Sequence, residues 1–195
     1  MKILFIDSCI RKEESRTLDI AKYILSKVEK EYEIEHVDLN TLKLTPYDSE
    51  VFASLNTNGP ETRFLECAKK ISEADVVFIA SPFYDMGIPA LLKTFLERCS
   101  IPDILFHDDG KTCFGISKCQ KMFLVTTRGM NIKDDSSLEQ ATPYLKALCF
   151  LWGIKKFDYI SAYNLDYLSE DELKNLILKT KEEGLKKFKE FMKVC

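Results

Sequence analysis

Three polar clusters in this chain each follow a short apolar run, and their residue types suggest chemistry. The first is Ser8-Cys9-Ile10-Arg11 followed by Ser15-Arg16-Thr17; the second is Ser81-Pro82-Phe83-Tyr84-Asp85-Met86-Gly87; the third begins Thr127-Arg128-Gly129. Hydroxyls and a guanidinium at a helix start suit a phosphate monoester, because the first helical N–H groups lack an intrahelical acceptor and the helix dipole favours an anion. Two aromatics, a carboxylate and a glycine in the second cluster offer a flat apolar wall with a polar rim. The first cluster holds neither a Gly-x-Gly-x-x-Gly nor a Walker lysine, so it is neither a dinucleotide fingerprint nor a P-loop. No conventional acid–base pair is evident. Each residue also has a plainer reading. Ser15 could only cap its helix, Arg16 and Arg128 could be solvated surface charges, and Phe83 and Tyr84 could be core aromatics. His107 reads as a plain loop histidine, and the lysines of 174–193 as the solvated face of a helix.

The elements that must position these clusters follow from apolar periodicity. Val76–Ala80 is a β-branched apolar run bounded by Asp75 and Ser81-Pro82, which predicts a strand buried on both faces. Pro89 suits the first turn of the helix that follows, where Leu91, Leu92, Phe95, Leu96 and Cys99 share one face. Residues 3–6 predict a first strand, and Ser15 predicts the cap of a helix carrying Leu18, Ala21, Ile24, Leu25 and Val28 inward. Residues 32–39 alternate as an edge strand, and 40–60 read as mostly irregular, with a helix from Pro60 to Ser72. Beyond the central unit, 100–119 reads as a long connection and Lys121–Thr127 as the fourth strand. Ser137-x-x-Gln140 reads as a capping box opening a helix that stops at Gly153. Residues 157–162 form the fifth strand, and Ser169-x-x-Glu172 caps the last helix.

Alternating strands and helices force a parallel sheet covered on both faces. The expected fold class is α/β: a flavodoxin-like, doubly wound, five-stranded parallel sheet in the order 2-1-3-4-5, as one domain over 1–195. That arrangement brings the loops 7–17, 81–88 and 127–135 to one end of the sheet, where open α/β sheets bind ligands.

Composition narrows the function classes. The net charge of −3 argues against a dedicated nucleic-acid or membrane-surface role. No apolar run approaches membrane length, and Met1-Lys2 leads straight into a strand. Seven cysteines without a Cys-x-x-Cys, beside only two histidines, make a zinc site improbable and point to a reducing, cytoplasmic setting.

The ensemble resembles the flavodoxin-like NAD(P)H-dependent oxidoreductases of the quinone reductase and FMN-dependent azoreductase type. The segment Ser81-Pro-Phe-Tyr-Asp-Met-Gly-Ile-Pro-Ala-Leu-Leu-Lys-Thr-Phe-Leu-Glu-Arg98 is similar to that family's loop and helix after the central strand. Thr127-Arg128-Gly129 is similar to its Ser/Thr-Arg-Gly, and the first cluster to its phosphate loop. The resemblance implies FMN as cofactor, with its phosphate on Ser15, Arg16 and Thr17 and with Cys9 and Arg11 nearby. Pro82, Phe83, Tyr84, Asp85 and Met86 would line the isoalloxazine edge, and Thr127, Arg128 and Gly129 would close the other side. Where family azoreductases often carry Ser, this chain has Cys9; where they often carry Asn, it has Asp85; their wall-forming aromatic is here Met86.

The implied activity is transfer of electrons from NADH or NADPH, by ping-pong exchange, to a small-molecule acceptor such as a quinone, azo dye or nitroaromatic. No metal, nucleic acid or membrane is implied. The family commonly builds its site at a homodimer interface, which would give the 100–119 connection a role in a partner's site. Two other readings stand beside it: a flavodoxin-type electron carrier without its own NAD(P)H turnover, and a flavin-free binding domain on the same fold.

Overall fold

The computed structural model describes residues 1–193. Its central sheet is built from β1 (Lys2–Asp7), β2 (Glu33–Asp38), β3 (Val76–Ala80), β6 (Lys121–Thr127) and β7 (Lys156–Ala162), all parallel and ordered β2-β1-β3-β6-β7. Two strands of a separate hairpin, β4 (Phe106–Asp108) and β5 (Cys113–Gly115), intervene in the numbering. The sheet order is therefore the expected 2-1-3-4-5. The helices are α1 (Arg16–Ser26), α2 (Ser49–Asn58), α3 (Thr62–Glu73), α4 (Ala90–Cys99), α5 (Ala141–Trp152) and α6 (Glu170–Lys193).

Every residue of β3 and β6 is buried, and their alternate side chains feed two separate cores. Ile3, Phe5, Val76, Phe78, Phe123 and Val125 point to the side covered by α1 and α6. Leu4, Ile6, Val77, Ile79, Met122 and Leu124 point to the side covered by α3, α4 and α5. On the first side Phe188 of α6 stands edge-on to both Phe78 and Phe123, each at 5.1 Å between centroids, a favourable aromatic geometry. This double burial fixes the sheet, and with it the direction in which all five strands deliver their loops.

Three expectations need correction. Residues 40–60 are not mostly irregular: Asp48 accepts the Val51 N–H at 2.8 Å and caps α2. No residue of α2 is buried, so the helix lacks the apolar stripe that a sequence reading looks for. Residues 100–119 are not a bare connection, because they hold the β4–β5 hairpin. That hairpin docks on the end of α5. The Ser117 N–H donates to the Trp152 carbonyl at 3.0 Å, and a Cβ on Gly115 would stand 1.9 Å from the Gly153 nitrogen. Finally, α5 starts at Ala141 rather than at a Ser137 box. The Glu139 carboxylate takes the Ala141 and Thr142 N–H groups, while the Gln140 amide donates to the Ser137 carbonyl. The stop at Gly153 (φ 78°) and the Ser169–Glu172 box are as expected.

Six cysteines fall within the described residues and none is paired; Cys113 is exposed on the hairpin and the other five are buried. Cys195 lies outside the described residues. Among the described residues no helix is long and apolar enough to cross a membrane.

Candidate active site

The segment leaving β1 is tied down before it reaches α1. Ser8 Oγ donates to the Ala80 carbonyl at 2.9 Å, and the Cys9 N–H donates to Asp7 Oδ1 at 2.8 Å. Lys12, in a left-handed backbone conformation (φ 49°), reaches Asp38 on the neighbouring strand end and lies 3.7 Å from the buried Asp7. Ser15 then caps α1 by accepting the Leu18 N–H at 3.2 Å. That use of the hydroxyl leaves the Arg16 and Thr17 N–H groups without a protein acceptor among the described residues. The Thr17 side chain bonds Thr127, Oγ1 to Oγ1, at 2.7 Å.

The segment leaving β3 stays paired with β6, since Phe83 N–H donates to the Thr127 carbonyl at 3.0 Å. A tight reversal follows. Tyr84 and Gly87 exchange N–H···O bonds of 3.0 and 2.9 Å, and the two residues between them, Asp85 (φ 47°) and Met86 (φ 67°), both sit in the left-handed region. That is the two-residue hairpin turn in which Asn, Asp and Gly are favoured. Burial pushes the Tyr84 phenol above its usual range.

Arg128, expected to face a ligand, turns inward instead. Its side chain is fully buried, donates to the Ile132 carbonyl at 2.6 Å and pairs with Asp134. The guanidinium lies over the Phe83 and Tyr163 rings at 5.5 and 5.9 Å. Arg128 therefore folds the loop after β6 around itself and braces Phe83 from behind. Cys9 is also removed from the cleft: it is wholly buried, Sγ lies 3.7 Å from the Ala80 carbonyl, and burial pushes its thiol up to about 12. Met86 is exposed outside the cleft, where its carbonyl accepts the Gln140 N–H.

The other ten expected residues line one cleft of about 370 Å³: Arg11, Ser15, Arg16, Thr17, Pro82, Phe83, Tyr84, Asp85, Thr127 and Gly129. This volume falls within the range of about 300–1,000 Å³ typical of small-molecule sites. Glu14, Met130 and Asp166 complete the lining, and none of the three was anticipated. Asp166 comes from the segment after β7, a fourth loop beyond the three expected to meet there. A wider depression of about 1060 Å³ lies by the start of β7, between Phe150, Lys155 and Lys187. It receives none of the loops that leave the strands at their carboxyl ends, the ligand end of such a sheet.

A model of the family described as "Flavodoxin-like fold" matches residues 1–185. The chain belongs to that family. Its relatives within the flavodoxin-like family include an FMN-dependent NADH:quinone oxidoreductase of Pelagibacter ubique, 31% identical over 195 residues that cover 91% of this chain and 100% of that protein. Another FMN-dependent NADH:quinone oxidoreductase, from Lachnoclostridium phytofermentans, is 29% identical over 178 residues, covering 87% and 89%. Among solved structures, the FMN-dependent NADH-azoreductase of Bacillus anthracis in complex with FMN has a TM-score of 0.78 at 20% identity, covering 93% of this chain and 96% of that one. At that identity the likeness speaks for the fold. The family resemblance carried by the three clusters is thus borne out.

The donor set suits a flavin mononucleotide. Two unpartnered amides beneath Arg16 are the kind of group that a terminal phosphate needs. Pro82, Phe83 and Tyr84 form an apolar wall beside them, and the Asp85 and Gly129 N–H groups also lack a protein acceptor among the described residues. Such backbone donors suit the polar edge of a ring system.

Proposed function

We propose that this protein is an FMN-dependent oxidoreductase that takes electrons from NADH or NADPH and passes them to a quinone, azo or nitroaromatic acceptor. The observation that carries the reading is the pair of amides without a protein acceptor at the start of α1, on Arg16 and Thr17, two residues that line the same cleft as Pro82, Phe83 and Tyr84. The names of the relatives support FMN, NADH and a quinone. FMN, when bound, supplies a two-electron carrier that exchanges hydride with nicotinamide and acceptor in turn. The chain does the rest. Arg16, with the Arg16 and Thr17 amides, holds the phosphate; Phe83 and Tyr84 shape the ring's bed; the neutral Tyr84 phenol adds no charge there. A homodimer is the expected working unit.

The test begins with the visible spectrum of the purified protein and titration with FMN, FAD and riboflavin. FMN should bind most tightly, and Arg16→Ala should weaken FMN by about 1.5–3 kcal/mol while barely changing riboflavin. With FMN loaded, NADH or NADPH oxidation in the presence of excess menadione should give parallel double-reciprocal lines. Equal affinity for FMN and riboflavin, or no nucleotide oxidation, would sink the proposal.

A further inference from the structure

Both arginines facing the cleft are already held by carboxylates of the same chain. Arg11 pairs with Glu14 at 3.1 Å and Arg16 with Asp166 at 2.8 Å. The two pairs differ in kind. Arg11 and Glu14 are three residues apart on one exposed turn, whereas Asp166 meets Arg16 from another strand's loop, 150 residues away in sequence. The backbone that carries Asp166 is pinned: its N–H donates to the Gly129 carbonyl at 3.1 Å. The neighbouring N–H groups of Leu165 and Asn164 donate to the Arg128 and Met130 carbonyls at 3.2 and 2.9 Å. A Cβ on Gly129 would stand 1.9 Å from Asp166 Oδ2, so the absence of a side chain there is what admits the carboxylate.

A carboxylate on a fixed backbone, laid over a glycine onto the guanidinium beside two free amides, stands where an incoming phosphate must compete. We propose that Asp166 is the resident counter-ion of Arg16 and surrenders the guanidinium when a phosphorylated ligand enters, so that this exchange sets how strongly the cleft prefers FMN over its dephosphorylated form, riboflavin. The proposal rests on the FMN reading above. Phosphate binding has to break the Arg16–Asp166 pair and then tolerate the carboxylate next to a dianion. Asp166 thus subtracts from the phosphate's contribution and leaves the ring's contribution alone. Glu14 and Asp85 add negative charge to the same cleft, and Arg11 is itself engaged by Glu14.

Fluorescence titrations at low ionic strength with FMN and riboflavin test the exchange in the wild type, Asp166→Asn, Arg16→Ala and the double variant. Asp166→Asn is close in shape and lies at an exposed position, so the fold is retained. It should tighten FMN about two- to fivefold, the range an exposed ion pair supports, and leave riboflavin unchanged. In the Arg16→Ala background the gain should shrink to the part owed to repulsion between the carboxylate and the phosphate. Weaker FMN binding in Asp166→Asn would mean that the carboxylate orients Arg16, and would overturn the exchange. A gain that is undiminished without Arg16, or that extends to riboflavin, would do the same. Equal wild-type affinity for FMN and riboflavin would instead remove the FMN reading and this proposal together.

Discussion

Thr17 and Thr127 join their side-chain oxygens at 2.7 Å beneath the cleft, and both residues are buried. One comes from the start of α1 and the other from the end of β6, so this bond sets the spacing between the phosphate end and the opposite wall. Replacing Thr127 alone with Val leaves the Thr17 hydroxyl buried without its partner. The expected cost is about 1–3 kcal/mol by urea denaturation. The Thr17→Val/Thr127→Val double variant should be less destabilised than the sum of the two single ones. Strict additivity would show that the hydroxyls are not coupled.

Arg128 should behave as a brace, not as a ligand contact. Arg128→Met removes one partner of a largely buried pair, which in a fully buried case costs about 3–5 kcal/mol. Asp134 is 37% exposed and also accepts from Ser161, so about 2–3 kcal/mol is expected here. Affinities for FMN and riboflavin should fall together, because Phe83 rather than the phosphate end loses its support. A selective loss of FMN would place the guanidinium at the phosphate after all.

Asp85 occupies a left-handed position that Asn tolerates at least as well, so Asp85→Asn should leave stability unchanged within about 0.5 kcal/mol. A carboxylate ~6 Å from the reduced ring would repel it by about 3 kcal/mol at an effective dielectric of ~20, an upper figure for this exposed side chain. On a two-electron couple that is up to ~60 mV. Spectroelectrochemistry should therefore find the FMN potential raised by tens of millivolts in the variant. An unchanged potential, with FMN bound, would retire the electrostatic role.

Glu35 ties edge strand β2 to its surroundings through Lys2 of β1 at 2.6 Å and Lys70 of α3 at 2.8 Å. Those two ammonium groups hold its carboxyl below the usual carboxylate range. A lowered folded pKa means stability that is present above the unfolded pKa and lost as pH falls through the folded one. Glu35→Gln should thus cost about 0.5–1 kcal/mol at pH 7, and the gap to the wild type should close as pH falls through and below the usual carboxylate range. Urea midpoints across that range measure it. A gap independent of pH would assign the loss to packing.

Legibility tracked burial. Val76–Ala80 and Lys121–Thr127 are readable residue for residue, because strands buried on both faces carry apolar runs, Val76–Ala80 in one and Met122–Val125 in the other. Helix α2 escaped because none of its residues is fully buried, so no apolar stripe marks it. The hairpin escaped because its strands are three residues long, too short for alternation to register. In the candidate site, the polar clusters that follow β1, β3 and β6 pointed to one cleft. What they could not reveal was direction. Arg128 looks like a surface cation until the Ile132 carbonyl and Asp134 are in place to bury it, and Asp166 acquires meaning only once Gly129 makes room beside Arg16.

A helix without one fully buried residue gives the chain a seam. Segments with few buried contacts open at low free energy, so the backbone amides of α2 should exchange with solvent well before those of α1 or α4. A protease should enter there first. The fragment before the nick keeps β1, which remains registered on β3 through five residue pairs, and α1, which packs on α6. The two pieces should therefore stay associated and hold the cleft between them, making the α2 segment the natural place to divide this chain into complementing halves.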